Sequence, residues 1–236
     1  MSKMKVVIAG GTSGIGLATA KILANSGAEI IITGRNPQKL EQAMASLPKG
    51  VRGQCVNAAN LAEQKAFLAA TGHIDHLVLS LGGNKGLGLF RDLDLVQLRQ
   101  GFEEKFFLHL QILQDALPYL SEHASVTLIT AVSGHAHFPG IAGIGAINGA
   151  LEVTVPILAK ELQPVRVNAV SPGAIDTPWW SFVPESTRGE TFQQYAQMTP
   201  VRRIGQPEDI AGMVKEVIFN SFITGQVITV DGGLGL

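Results

Sequence analysis

The sequence predicts an α/β chain: a doubly wound, mainly parallel, seven-stranded sheet with helices on both faces. Three observations predict it. Short apolar runs alternate with segments of helical periodicity along the whole chain, the signature of strand–helix–strand units. A glycine-rich turn joins the first apolar run to the first helical segment. No internal repeat and no Pro- or Ser-rich linker divides the 236 residues, so 1–236 reads as one domain.

Each element follows in order. KVVIAGG (5–11) is a strand running into a glycine turn. Apolar positions at helical spacing cover 14–26, and Gly27 closes that helix as a C-cap would. EIIITGR (29–35) is the second strand, and Pro37 suits the start of a helix over 37–46. VRGQCVN (51–57) is the third strand, with a short helix at 61–70. HLVLSLGG (76–83) is the fourth strand, and 94–120 is a long helix ending near Pro118. SVTLITAV (125–132) is the fifth strand, followed by a helix at 144–162. VRVNAVSPG (165–173), PEDIAGMVKEVI (207–218) and QVITVDGG (226–233) give a sixth strand, a helix and a last strand. The segment at about 178–205 is an insertion over the substrate side. Right-handed crossovers place the ligand crevice at the C-terminal ends of the strands.

Composition narrows the function classes. Apolar residues make up 46% and charged residues 16%, a globular balance, and the net charge is -1. No Lys/Arg run exceeds two residues, so neither nucleic acid nor a membrane is an expected partner. The purely apolar runs fall short of the roughly 18 residues a bilayer span needs. The N-terminus lacks a signal-peptide profile, and the expected location is cytoplasmic. Cys55 is the only cysteine, which excludes an intrachain disulfide; it reads as a small buried apolar residue. His135 and His137 lie close together without an evident third ligand, so no metal site is expected.

AGGTSGIG (9–16) sits between the first strand and the first helix. Gly10 allows the tight turn, Gly14 lets backbone approach a diphosphate, and Gly16 permits helix and strand to pack closely. The helix N-terminus then offers unpaired N–H groups and a positive dipole to phosphates. The strand–turn–helix context makes this a dinucleotide loop.

The glycine spacing resembles the G-x-x-x-G-x-G loop of the short-chain dehydrogenase/reductase family. RVNAVSPGAIDTP (166–178) is similar to that family's strand and loop beneath the nicotinamide. RIGQPEDIAGMVKEVIF and ITGQVITVDGG resemble its C-terminal third, so the resemblance covers essentially the whole chain. It implies a Rossmann-like fold, a bound NAD(P)(H), a small-molecule substrate and a homodimer or homotetramer.

The second strand ends in Thr33-Gly34-Arg35-Asn36. Gly34 stands where NAD members of the family carry an Asp for the ribose hydroxyls. Arg35 offers a fork of donors for a 2′-phosphate, and Asn36 and Ser13 add neutral donors. The expected cofactor is NADP(H), with NAD(H) as the alternative. Asn57, followed by Ala58, matches the family's Asp near the adenine, and its oxygen can accept from the adenine amine. Thr12 and Ile15 belong to the glycine loop. Ser80 and Gly82 belong to the turn after the fourth strand. Pro172, Gly173, Ile175 and Thr177 match the nicotinamide and diphosphate loop.

The resemblance implies a Tyr proton donor, a Lys four residues later, a Ser on the preceding strand and an Asn on the long helix. The sequence departs at all four. The Ser position is Ala131, the Tyr position Ile144, the Lys position Asn148 and the Asn position Lys105. The only tyrosines are Tyr119, near the end of the long helix, and Tyr195, in the insertion. Lys and Asn therefore look exchanged. Lys105 lies on the apolar stripe of its helix with Leu98, Phe102, Phe106 and Leu113, where an amine needs a partner or a route to water. It reaches towards Asn148 and the cofactor ribose, or snorkels to solvent or a subunit interface. Ser133 shares the face of Ala131, and His135 and His137 follow in the loop above the sheet, one of them a candidate proton donor or both ordinary loop residues. Trp179, Trp180, Phe182, Phe192 and Tyr195 make the insertion the most aromatic segment, suited to an apolar substrate.

Three functions fit. One is an NADP(H)-dependent oxidoreductase with a rearranged site. The second is an NADP(H)-binding sensor without turnover. The third is a structural subunit in an oligomer. The intact cofactor loops and the Lys–Asn exchange favour the first.

Overall fold

A computed structural model describes residues 3–236. Seven strands form one sheet: β1 (Lys5–Ala9), β2 (Glu29–Gly34), β3 (Arg52–Cys55), β4 (Ile74–Leu79), β5 (Leu120–Ile129), β6 (Arg166–Pro172) and β7 (Val227–Val230). Every pairing is parallel, and the order is β3-β2-β1-β4-β5-β6-β7. The order reverses direction between β1 and β4, which opens a crevice above the strand ends there.

The helices are α1 (Gly14–Ala24), α2 (Pro37–Ala45), α3 (Leu61–Thr71), α4 (Leu95–Gly101), α5 (Leu108–Ala116), α6 (Ala142–Glu161), α7 (Glu185–Met198) and α8 (Pro207–Phe219). They cover both faces. On one face Leu68, Ile112, Leu113, Leu151 and Val155 pack against Leu77, Leu79 and Leu128. On the other, Leu23, Ala43, Val214 and Val217 pack against Ile8, Ile30 and Ile32. The inner strands β1, β2 and β4 are nearly continuous apolar runs because both of their faces are covered. α6 is long and apolar enough to cross a membrane, but Ile144, Ile147, Leu151 and Val155 are buried within this fold.

Four differences from the sequence expectations have physical causes. The long helix is not one α-helix. α4 passes into a π-helical turn, Phe102–Phe107, before α5. An inserted π turn shifts the facing of side chains without disturbing the apolar stripe on either side, and such turns are often functional. β5 begins at Leu120 and not at 125, with a register irregularity opposite Ile74/His76. The insertion contains α7, whose polar composition hides its helical period. Cys55 is exposed and not buried, because β3 is an edge strand whose four residues are all exposed.

Two histidines are withdrawn from water in this frame, His76 partly and His109 fully. His76 Nδ1 lies 2.6 Å from Ser125 Oγ, and burial, then the Arg166 charge, pushes its pKa down to about 4. His109 packs between α5 and β4, 2.7 Å from the Lys105 carbonyl and 3.2 Å from the Leu79 carbonyl. Burial, then Lys105, also pushes it down to about 4. The folded chain therefore binds fewer protons than the unfolded one as pH falls from 6.5 to about 4. That stability is present above pH 6.5 and lost through the window, by at most about 3 kcal/mol per histidine. Urea unfolding at pH 7 and pH 5 should show a smaller loss in His76→Asn than in the wild type; an equal loss would contradict this account.

Candidate functional site

The first turn of the crevice is built by steric exclusion. Gly10 leaves β1 with φ 81°, and its N–H and that of Gly11 both donate to the Thr33 carbonyl at 3.1 Å. A Cβ on Gly16 would collide with the Gly10 carbonyl, so α1 reaches this depth only with glycine there. Ser13 is the N-cap of α1 but makes no side-chain cap bond. The N-terminal amides of α1 are thus free of a side-chain acceptor, as phosphate binding requires.

A cleft of about 370 Å³ runs from this loop across the ends of β4, β5 and β6. Gly10, Ser13, Gly14, Ile15, Ser80, Gly82, Pro172, Gly173, Ile175 and Thr177 line it, as expected for cofactor-binding positions. Six other expected positions do not line it. Gly16 packs helix on strand, and the Thr12 side chain lies against Gly34. Asn36 caps α2, its Oδ1 accepting from Lys39 N at 2.9 Å, which leaves its amide donors free. Arg35 is exposed, without an ion pair or side-chain bond among the described residues. The Asn57 oxygen is directed into its own loop, where it accepts from Ala59 N at 3.3 Å, and Ala58 packs on the core. The oxygen read as an adenine acceptor is therefore engaged locally. Lys39, one turn along α2, does line the cleft, and the sequence reading missed it.

Lys105, Ala131, Ser133, Ile144 and Asn148 all line the same cleft, so the exchanged lysine and asparagine share one cavity. Asn148 is fully buried. Its Nδ2 donates to Ser133 Oγ and to the Ile144 carbonyl, each at 3.0 Å, while its Oδ1 has no partner. A buried acceptor left open costs about 1–3 kcal/mol, which a ligand hydroxyl can recover. Lys105 is buried rather than snorkelling, and its Nζ donates to the Thr130 carbonyl at a long 3.4 Å. It does not bond to Asn148. Burial pushes its pKa down to about 8, against the opposing pull of Glu152.

His135 is not in this cleft. It borders a second cavity with His137 and Phe138, and its ring lies between Glu152 Oε2 at 3.1 Å and Thr229 Oγ1 at 3.3 Å. The turn Val132–Gly134 carries it away from the side that Ala131 faces. Glu152 escaped the sequence reading. The only signal was its place one helical turn after Asn148.

The insertion forms the outer wall. Trp179, Trp180 and Tyr195 line the cleft; Phe182 stacks on Trp180, and Phe192 meets it edge to face. Trp180 Nε1 donates to the Ile175 carbonyl at 2.8 Å, and Trp179 Nε1 donates across the cleft to the Gly83 carbonyl at 2.8 Å. Burial pushes the Tyr195 hydroxyl above its ordinary value. Leu234, from the apolar C-terminal run, lines the cleft of its own chain.

A glycine loop under an uncapped helix, an open buried acceptor and an apolar lid fit a dinucleotide. A profile described as Enoyl-(Acyl carrier protein) reductase matches residues 9–235. The chain belongs to the short-chain dehydrogenase/reductase family. An uncharacterized oxidoreductase of Mycobacterium tuberculosis is 32% identical over 97% of this chain and 90% of its own length. A 3-oxoacyl-[acyl-carrier-protein] reductase of Thermotoga maritima is 30% identical over 97% of this chain and 96% of its own. Among solved structures, a small-chain dehydrogenase in complex with NADPH matches with TM-score 0.84 and 28% identity, over 99% of each chain. A family member from Brucella melitensis matches with TM-score 0.89 and 27% identity, over 99% of this chain and 97% of its own.

The indole–carbonyl bond of Trp179 links the insertion across the cleft to Gly83. Trp179→Phe keeps the ring and removes that bond, a loss of about 1 kcal/mol. Amide exchange across 177–183 should accelerate while the sheet stays protected; unchanged exchange in that segment would contradict the role.

Proposed function

We propose that this chain is an NADP(H)-dependent oxidoreductase acting on a carbonyl or alcohol of a small apolar substrate, through a rearranged active site. The observation that carries this reading is the meeting of buried Lys105 and buried Asn148 on one cleft wall, with the Asn148 oxygen open. The NADPH held by the similar small-chain dehydrogenase supports the cofactor.

When bound, the nicotinamide supplies or accepts hydride. The chain's own residues do the rest. Gly10, Ser13, Gly14 and the α1 N-terminus hold the diphosphate. Arg35 and Lys39 attract a 2′-phosphate, and Gly34 brings no carboxylate to repel it. Asn148 Oδ1 accepts from a ribose hydroxyl. Lys105 holds a proton below about pH 8 and releases it to the substrate oxygen during reduction. Trp179, Phe138, Ile141 and Leu87 exclude water and select an apolar substrate. We further propose a cytoplasmic enzyme that pairs as a homodimer or homotetramer, covering the exposed Phe107, Val153 and Ile157.

A second reading has its own observation. Ala131 and Ile144 place nothing titratable where the family's hydroxyls act, which fits a nucleotide-binding sensor without turnover. A positioned proton donor contributes roughly 10²–10⁴-fold, whereas orientation contributes about 7–11 kcal/mol, so losing the tyrosine alone leaves hydride transfer feasible.

Calorimetry with NADPH, NADP and NADH tests the nucleotide half. NADPH should bind at least about tenfold more tightly than NADH, near 1.4 kcal/mol, and Arg35→Ala with Lys39→Ala should erase the difference. A carbonyl screen with NADPH then tests turnover. Reduction should fall as pH rises through about 8, and Lys105→Ala should lower kcat by roughly 10²–10⁴-fold. Tight binding without turnover would favour the sensor, and absence of nucleotide binding would overturn both readings.

A further inference from the structure

Glu152 lies one turn beyond Asn148 on α6, and its side chain is only 11% exposed. A glutamate on the flank of such a helix normally points to water, and burying a carboxylate is costly unless donors and a cation meet it. Here they do. Oε1 accepts from Thr130 Oγ1 at 2.9 Å and from Ser171 Oγ at 2.8 Å. Oε2 faces His135 Nδ1 at 3.1 Å. The lid of this nest is Gly134, where a Cβ would stand 2.7 Å from Oε2. β5, β6, α6 and the turn after β5 thus all contribute to holding one carboxylate.

Thr130 joins this nest to the cleft. Its hydroxyl donates to Glu152, and its backbone carbonyl receives Lys105 Nζ at 3.4 Å. We infer that Glu152 is a positioning residue for Lys105: the fixed counter-charge that keeps the amine charged and held at the cleft wall by way of Thr130. The titratable groups facing the pair are His109, from the lysine's own helix, and His135, on the far side of the carboxylate. His109 stays neutral in its buried site and adds no second cation beside the amine, and the carboxylate held on the other side of Thr130 is that of Glu152. The kinetic consequence rests on the proposed role of Lys105 as proton source, but the charge coupling does not.

Titration of the full-length chain by NMR, with carbon-13 at lysine Cε, tests the coupling without any substrate. Lys105→Met identifies the lysine signal. In Glu152→Gln the Lys105 midpoint should drop by about one pH unit or more, because the anion that favoured the charged amine is gone. In Glu152→Asp most of the effect should be retained. Thr130→Val removes the hydroxyl that holds the carboxylate and leaves both charged side chains in place, and the Lys105 midpoint should drop in it as well. It decides the question even if Glu152→Gln fails to fold. Where turnover is measured, Glu152→Gln should move the alkaline fall of reduction to lower pH and lower kcat with little change in KM. An unchanged Lys105 midpoint in Glu152→Gln and Thr130→Val would overturn the inference and leave nucleotide binding untouched. Loss of nucleotide binding with a lowered Lys105 midpoint in these variants would overturn the proposed function and leave this one standing.

Discussion

A lysine amine cannot be buried among apolar rings unless its charge is answered, and the cleft is organised around that requirement. Lys105 sits in a π turn among Phe102 and Phe106, buried, with only the Thr130 carbonyl at a long hydrogen-bonding distance. The carboxylate of Glu152 reaches the other side of Thr130. Desolvation and this anion pull the amine in opposite directions, and the balance leaves it near the pH at which a proton can be both held and released. The same constraint accounts for Asn148. A second ammonium one turn before Glu152 would share the cavity with Lys105, and like charges in a dry site oppose each other. A neutral amide avoids that conflict and leaves its oxygen open in the cleft.

The surrounding fold supplies positions and little chemistry. The strand order switches direction at β1 and β4, the glycine loop brings α1 against the first strand, and the loop after β6 closes above them. Trp179 ties that loop to Gly83, and the aromatic cluster behind it turns the cleft apolar. Polar groups in the cleft are few, so each carries more of the specificity.

Much of this was legible in the sequence. Strand and helix alternation gave the parallel sheet, because strands buried on both faces read as unbroken apolar runs. The glycine loop was legible because its spacing has a steric cause at each position. Lys105 stood out because a charge on an apolar stripe violates helical patterning. Other features left no such mark. Glu152 reads like any solvated glutamate until Gly134, Ser171 and Thr130 converge on it from distant parts of the chain. The π turn keeps the apolar stripe on both sides, so periodicity does not disclose it. α7 is mostly polar, with too few apolar residues for a clear stripe, and Cys55 reads as buried only when β3 is taken as an inner strand. The Asn57 oxygen looked free because its bond to Ala59 is a local turn that sequence does not specify.

The most direct measurement of the central claim is a crystal structure of the chain with NADPH. The account requires the Asn148 oxygen to accept from a hydroxyl of the nicotinamide ribose, with the Lys105 amine facing the nicotinamide side of the cleft. A nucleotide seated with its ribose away from Asn148, or with Lys105 turned out to solvent, would contradict it.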